Sequence, residues 1–295
     1  MQKEISFNCQ KRREYLEEFN LKYPQYETGK IGKSILGRDI DYYRMGNGKK
    51  HILAVGAHRG AEYITTSALY DFIDSLAQKA TRGDTAYGIN LAFLLQRFTF
   101  WVVPCVNPDG TELSLSGAVK NPLLERQVKM NGGSLDFNGW QANARGVDLG
   151  HNYAFGFREY KRAEKEKGIL AGKIGFSGEY PESEPETRAL ADFTRTLLPS
   201  ASVSLHSSGG VVFYSPKSPA IAKIAEGVAR SLGYKSQTSN ERAEYGGFAD
   251  YSGNVLKIPS LSVGLCPEKD QSNNFFCKTE FDKVKKLLIT LPARL

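Results

Sequence analysis

The chain contains few of the residues that dominate metal-rich and disulfide-rich proteins. Among 295 residues there are four histidines and four cysteines, and no two cysteines form a C-x-x-C pair. This scatter argues against a zinc knuckle and against a disulfide framework. We therefore expect reduced, mostly buried thiols at all four positions, Cys9, Cys105, Cys266 and Cys277.

Long hydrophobic runs and charge of one sign are also missing. No apolar run approaches the roughly 20 residues that a membrane-spanning helix needs. The net charge of +7 comes from 39 basic and 32 acidic residues that are interspersed, without the basic stripe that nucleic-acid binding requires. The opening MQKEISFNCQKRREYLEEFN is polar, unlike a secretory signal. We expect a cytoplasmic protein without a nucleic-acid or membrane partner; the oligomeric state stays open.

Segments typical of strands and of helices alternate along the chain. ILAVGA precedes a predicted helix at about 63–79, and FTFWVVPCV at 98–106 is a strongly apolar strand. Later strands are predicted in ASVSLHSS, VVFYS and IPSLSVGLC. The segment 183–198 is predicted to be a helix, with Ser183 as its N-cap and Pro185 in its first turn. The C-terminal EFDKVKKLLITLPARL is also predicted to be a helix.

This alternation predicts the fold class and the domain organisation. We expect one α/β domain over residues 1–295, with a mixed, largely parallel twisted sheet flanked by helices. Residues 1–45 form its N-terminal helix and lead-in. Residues 107–182 are rich in Gly, Asn and Ser and lack regular periodicity, and so long an irregular segment inside a domain is usually functional.

Candidate metal ligands lie at two predicted strand ends. His58 and Glu62 follow a buried strand just where a helix begins, and His206 ends another strand before a run of small residues. Open α/β sheets place their chemistry at the carboxyl ends of strands. A zinc site needs three protein ligands of this kind and an open position for water. Residues His58, Glu62 and His206 supply such a set.

Seven ordered motifs resemble the zinc carboxypeptidase family along nearly the whole chain. They are IGKSILGRDI (31–40), GAHRGAEYITT, VNPDG (106–110), NGWQANARGVDLGHNY (138–153), SEPETRALADF, SLHSSGGVVFYS and YGGFADYSGNVLKIPSLSVG (245–264). The loop before GVDL is most similar to bacterial members that cleave γ-D-glutamyl bonds in peptidoglycan peptides. The resemblance implies that family's fold, zinc as a cofactor, short peptides or peptidoglycan fragments as ligands, and 107–182 as a cleft-lining region.

The same resemblance exposes departures at functional positions. Counting back three residues from Glu62, the zinc-histidine position holds Arg59, and the catalytic-glutamate position holds Gly264. In the family that glutamate takes a proton from the zinc-bound water and passes it to the leaving amine. Gly264 can do neither, so the resemblance implies that hydrolysis is lost or strongly impaired. No residue is assigned a catalytic role.

Another departure lies in DLGHNY, where the family commonly has Asn-Arg-Asn. There Gly150 and His151 replace the pair that helps to hold a terminal carboxylate, while Asp148 matches the family pattern. Glu244 and Glu268 lie near enough in sequence to be considered as substitute bases, but solvated loop carboxylates are the simpler interpretation of both.

Two interpretations of the metal position stay open. Residues four apart share a helix face, so His58 and Glu62 could both point toward His206 and hold zinc. Alternatively, the guanidinium of Arg59 fills the zinc volume and pairs with Glu62 in a bidentate manner. Arginine cannot lose its proton to become a ligand.

Three residues are candidates for substrate binding. The fork of Arg145 suits a peptide carboxylate, although this arginine could equally brace its own loop. His151 could donate or accept a hydrogen bond with a ligand, and Tyr245 could line the cleft. Either could also be an ordinary loop residue.

Three functions follow from these observations. The first is a family member that binds peptides but no longer hydrolyses them. The second is an active zinc-dependent metallocarboxypeptidase or γ-glutamyl peptidase that uses His58, Glu62 and His206. The third is a non-catalytic cytoplasmic scaffold. Metal content separates the second from the others, and a peptide-dependent rise in melting temperature separates the first from the third.

Overall fold

A mixed eight-stranded sheet carries the helices of the chain in the computed structural model, which describes residues 6–215, 219–239, 247–266 and 274–295. The strands are β1 (Glu27–Lys33), β2 (Asp39–Met45), β3 (Lys50–Val55), β4 (Thr85–Ala86), β5 (Ile89–Asn90), β6 (Phe98–Val103), β7 (Ala201–His206), β8 (Val211–Tyr214), β9 (Lys235–Thr238) and β10 (Ser260–Gly264). The helices are α1 (Cys9–Lys22), α2 (Tyr63–Thr81), α3 (Leu91–Arg97), α4 (Pro108–Ser116), α5 (Leu124–Met130), α6 (Phe157–Glu166), α7 (Pro185–Leu197), α8 (Pro219–Leu232), α9 (Phe248–Asn254) and α10 (Asn274–Thr290).

Four parallel strands form the middle of the sheet. The strand order is β1-β2-β6-β3-β7-β10-β8-β9, with β4 and β5 as a separate hairpin. Strands β6, β3, β7 and β10 run parallel to one another, whereas β2 and β8 pair with them in the antiparallel sense. The predicted mixed, largely parallel sheet is confirmed. Its carboxyl edge places the ends of β3, β7 and β10 side by side.

The core lies on both faces of this sheet. On β3, Ile52 and Ala54 join a cluster with α1, α2, α3, α8 and α10, while Leu53 and Val55 join a second cluster with α7 and α9. Burial on both faces explains why the sequence of β3 is continuously apolar rather than alternating. Among the described residues, no helix combines the length and the apolar character of a bilayer span.

Two local expectations differ from the structure. Helix α7 begins with Glu184 at its N-cap, not Ser183, and the Ser183 hydroxyl donates to the Glu184 carboxylate over 2.9 Å. The region 107–182 is less irregular than expected, because it holds α4, α5 and α6. Asn107 starts α4 by accepting a hydrogen bond from the Gly110 amide, with Pro108 in the first turn. Of the described cysteines, Cys105 and Cys266 are buried and Cys9 is partly exposed.

Candidate functional site

The carboxyl ends of β3, β7 and β10 bring the sequence-predicted residues together. His58 and Arg59 follow β3, and Glu62 closes the 3₁₀ turn Gly60–Glu62 that leads into α2. His206 is the last residue of β7, and in the sheet register it lies opposite Gly264, the last residue of β10. Tyr245, Glu244 and Glu268 lie outside the described residues.

Glu62 and His206 contact each other directly. The His206 Nδ1 lies 3.1 Å from Oε2 and 3.3 Å from Oε1 of the Glu62 carboxylate. The other ring nitrogen of His206 lies 3.4 Å from the Ser204 hydroxyl. Two of the candidate metal ligands are therefore neighbours. Their contact engages the His206 Nδ1 and the Glu62 carboxylate oxygens, which are atoms that could otherwise bind a metal ion.

Arg59 lies closer to Asp148 and His151 than to Glu62, the partner that the sequence suggested. Its Nε donates to both carboxylate oxygens of Asp148, at 3.1 and 3.3 Å, and its Nη2 lies 3.1 Å from Nε2 of His151. The nearest approach to Glu62 is 3.9 Å, so the expected bidentate pair with Glu62 is wrong in its geometry. Burial raises the pKa of Asp148, but the charge and hydrogen bond of Arg59 and the hydrogen bond from the Gly150 amide lower it, so this pKa lies below its usual range.

His58 is fully buried beside this pair. Its Nε2 lies 3.0 Å from the Tyr153 hydroxyl, and its ring lies 5.7 Å from that of Phe248. Burial, together with the nearby His206 and Arg59 charges, lowers the pKa of His58 to about 3, so the imidazole is neutral at pH 7. Within the described part of the chain, the His58 Nδ1 has no hydrogen-bond partner.

Gly264, at the end of β10, lies against the backbone of the loop that follows β7. A Cβ at this position would be 2.3 Å from the Ser208 carbonyl oxygen and 3.1 Å from the Ser208 carbonyl carbon. Two backbone hydrogen bonds tie this loop to the chain after β10, from Gly209 to Cys266 and from Gly210 to Leu265. A side chain at position 264 would therefore require the backbone to move.

A small cleft lies beside these residues, and His58, Arg59, Gly150 and His206 are part of its lining. Aromatic rings and serine hydroxyls form much of the remaining surface, among them Phe213, Tyr214, Phe248, Ser204, Ser260 and Ser262. The cleft is therefore lined by both polar and aromatic side chains.

Arg145 does not line this cleft. It borders a separate surface depression, where its Nε and Nη2 both lie 3.0 Å from one Glu184 oxygen. Of the two roles considered for Arg145, its contacts are those of an arginine that braces its own loop. His151 is buried next to Arg59, and its ring stacks on Tyr160 at 3.9 Å.

The model of the zinc carboxypeptidase family matches residues 13–281. The chain belongs to the zinc carboxypeptidase family. It is 29% identical over 255 residues to gamma-D-glutamyl-L-diamino acid endopeptidase 1 of Lysinibacillus sphaericus, which covers 85% of this chain and 63% of that relative. It is 26% identical over 181 residues to murein peptide amidase A of Escherichia coli K12, with 57% of this chain and 61% of that relative covered.

The chain spans less than two thirds of the length of both relatives. Its fold is that of solved carboxypeptidases. Bovine thrombin-activatable fibrinolysis inhibitor superposes with a TM-score of 0.74 at 19% identity, over 98% of this chain and 96% of the other. This similarity concerns the fold alone.

The zinc carboxypeptidase family implies a zinc ion, and the residues of this chain do not fit one. The position three residues before Glu62 carries a guanidinium, which has only donors and keeps its proton. Glu62 and His206 face each other, and His58 turns one ring nitrogen to Tyr153. Among the described residues, no three His, Cys, Asp or Glu side chains come together as a metal site.

Sequence reasoning missed two parts of this zinc carboxypeptidase cleft. Asp148 was recognised only as a match to the family pattern, and nothing in the sequence pointed to its contact with Arg59, 89 residues away. The obstruction at Gly264 comes from the backbone carbonyl of Ser208. Every residue has such a carbonyl, so the residue type at position 208 could not predict this contact. For Asp148, the GVDL motif was the only indication in the sequence.

Proposed function

We propose that this chain recognises short peptides, including stem peptides of peptidoglycan, and does not hydrolyse them. The observation that carries the proposal is the contact at Gly264, where the Ser208 carbonyl occupies the space that a side chain would need. The names of the two curated relatives supply the ligand class, because one is a γ-D-glutamyl-L-diamino acid endopeptidase and the other a murein peptide amidase.

A glycine at the position of the family's catalytic glutamate should strongly lower the rate of peptide hydrolysis. General acid–base catalysis typically contributes about 10²–10⁴ in rate, which corresponds to roughly 3–5 kcal/mol of transition-state stabilisation. In the proposed function zinc has no part, because Arg59 provides a fixed positive charge where the family binds a metal ion. The proposed partners exclude nucleic acid and membrane, and a cytoplasmic location stays a prediction.

The proposal is tested by calorimetric titration of the protein with γ-D-glutamyl-L-lysine. We expect saturable binding and a rise in melting temperature, because a ligand at 100 times its Kd stabilises the folded state by about 2.7 kcal/mol. Ser262→Phe should fill the cleft and abolish binding, whereas Ser116→Phe, at the exposed end of α4, should leave binding intact. No heat of binding and no melting shift with this peptide or with α-L-glutamyl-L-lysine would contradict the proposal.

A second candidate function is an active zinc-dependent peptidase that uses His58, Glu62 and His206. One observation favours it, namely the buried His58 Nδ1 without a partner among the described residues. Elemental analysis separates the two candidates. About one equivalent of zinc, lost in His206→Ala, would support the peptidase, since catalytic zinc sites use three protein ligands.

A further inference from the structure

The guanidinium of Arg59 packs on residue 150, which is glycine. A Cβ at Gly150 would lie 3.1 Å from the Asp148 Oδ1, 3.2 Å from the Arg59 Nε and 3.3 Å from its Nη2. These distances are tighter than ordinary van der Waals contact, so a larger residue at 150 would require the Arg59 guanidinium and the Asp148 carboxylate to shift by a few tenths of an ångström. The absence of a side chain at Gly150 therefore leaves room for Arg59.

His151 holds the other side of the same guanidinium. Its Nε2 lies 3.1 Å from the Arg59 Nη2, while Tyr160 stacks on the ring with an interplanar angle of 9°. A guanidinium has only donors, so the His151 Nε2 accepts this hydrogen bond and the ring proton is on Nδ1. His151 therefore acts here as a neutral acceptor for Arg59.

The third contact of Arg59 is a carboxylate that the backbone fixes in place. Asp148 is completely buried, and it also accepts hydrogen bonds from the amides of Gly150 and Gly175, at 3.1 and 3.2 Å. A buried carboxylate with these donors has one orientation, and Arg59 supplies its counter-charge. The guanidinium is thereby held with its Nη1 3.9 Å from the Glu62 carboxylate.

We infer that Arg59, Gly150 and His151 form one coupled unit in which a guanidinium replaces the metal ion of the family. These three positions are departures from the family pattern, and in the structure they contact one another. The unit fixes a guanidinium, paired with Asp148, in the place of a metal ion. This inference deepens the proposed function and rests on the same cleft, but it does not depend on which peptide is bound.

A double-mutant cycle tests the coupling. Gly150→Ala should lower the melting temperature by a few degrees when Arg59 is present, because the guanidinium must shift. In an Arg59→Ala background the same substitution should have a smaller effect, because only the contact with Asp148 then remains. Gly253→Ala is the matched control, since a Cβ there meets its nearest neighbours at 3.6–3.8 Å, and its effect should be equal in both backgrounds. Equal effects of Gly150→Ala in both backgrounds would overturn the inference.

Zinc binding provides the second test, with a readout that does not depend on activity. The unaltered protein should carry no zinc after dialysis against the metal, and chelator should leave its melting temperature unchanged. Arg59→His should bind about one equivalent, because it completes a three-ligand set with Glu62 and His206. Arg59→Gln, which removes the charge without adding a ligand, should bind none.

Two results would contradict this assignment. One is stoichiometric zinc in the unaltered protein, and the other is a folded Arg59→His variant that takes up no zinc. A zinc-free protein that also fails to bind peptide would refute the proposed function and leave the coupled unit standing, so the two failures are distinguishable.

Discussion

At the scale of single residues, Glu186 shows how strongly burial controls charge in this chain. Its carboxyl group accepts hydrogen bonds from the Ile35 amide and the Asn143 side chain. Burial, together with the nearby carboxylates of Asp109 and Glu184, raises the pKa of Glu186 from 4.5 to about 8. The folded state therefore keeps a proton that the unfolded chain releases.

This difference predicts a pH dependence of stability. Between about pH 4.5 and 8 the folded state binds more protons at Glu186 than the unfolded state, so this residue's contribution to stability is lost as the pH rises through that window. Glu186→Gln should flatten the corresponding part of the curve of unfolding free energy against pH. Glu226→Gln, at an exposed glutamate of α8, is the control. Parallel curves for Glu186→Gln and the unaltered protein would refute the assignment.

Leu198 offers a second prediction at this scale. It follows α7 in the left-handed conformation, with φ 44° and ψ 62°, and its side chain is exposed. Glycine adopts this conformation without strain, so Leu198→Gly should raise the free energy of unfolding by about 0.5–1 kcal/mol in urea denaturation. Leu198→Ala keeps the Cβ and should gain nothing. An equal gain in both variants would show that loss of the exposed side chain, rather than backbone strain, is responsible.

At the scale of elements, the end of β10 is closed by the loop after β7. Gly264→Ala should lower the free energy of unfolding by roughly 1–3 kcal/mol, because its Cβ would lie 2.3 Å from the Ser208 oxygen. Gly253→Ala in α9 meets only ordinary contacts and should be tolerated. Urea denaturation of both variants measures the difference. Unchanged stability of Gly264→Ala would mean that the loop yields easily and that space for a side chain exists.

The elements themselves were largely predictable because their patterns are local. The helix expected at about 63–79 is Tyr63–Thr81, and the strand expected at 98–106 is Phe98–Val103. Helices α4 and α5 were not expected, since both are short and weakly patterned within a Gly- and Asn-rich region. The N-cap of α7 was misplaced by one residue, because Ser183 has the preferred side chain for this role but hydrogen-bonds to Glu184.

At the scale of the whole molecule, the order of the motifs predicted the family and the fold, whereas the contacts within the site were only partly predictable. The residue types at 59 and 264 could be read directly from the sequence. The partner of Arg59 could not, because Asp148 reaches it only after β3 and the irregular segment before α6 have packed together. Arg145 has the right chemistry for a carboxylate anchor, but the fold places it beside Glu184.

The account depends on a cleft that binds peptides without cleaving them. The most direct measurement is release of free lysine from γ-D-glutamyl-L-lysine by the purified protein, with and without added zinc. The account predicts no release above the level of buffer in either condition. Zinc-dependent release that Glu62→Gln abolishes would contradict it.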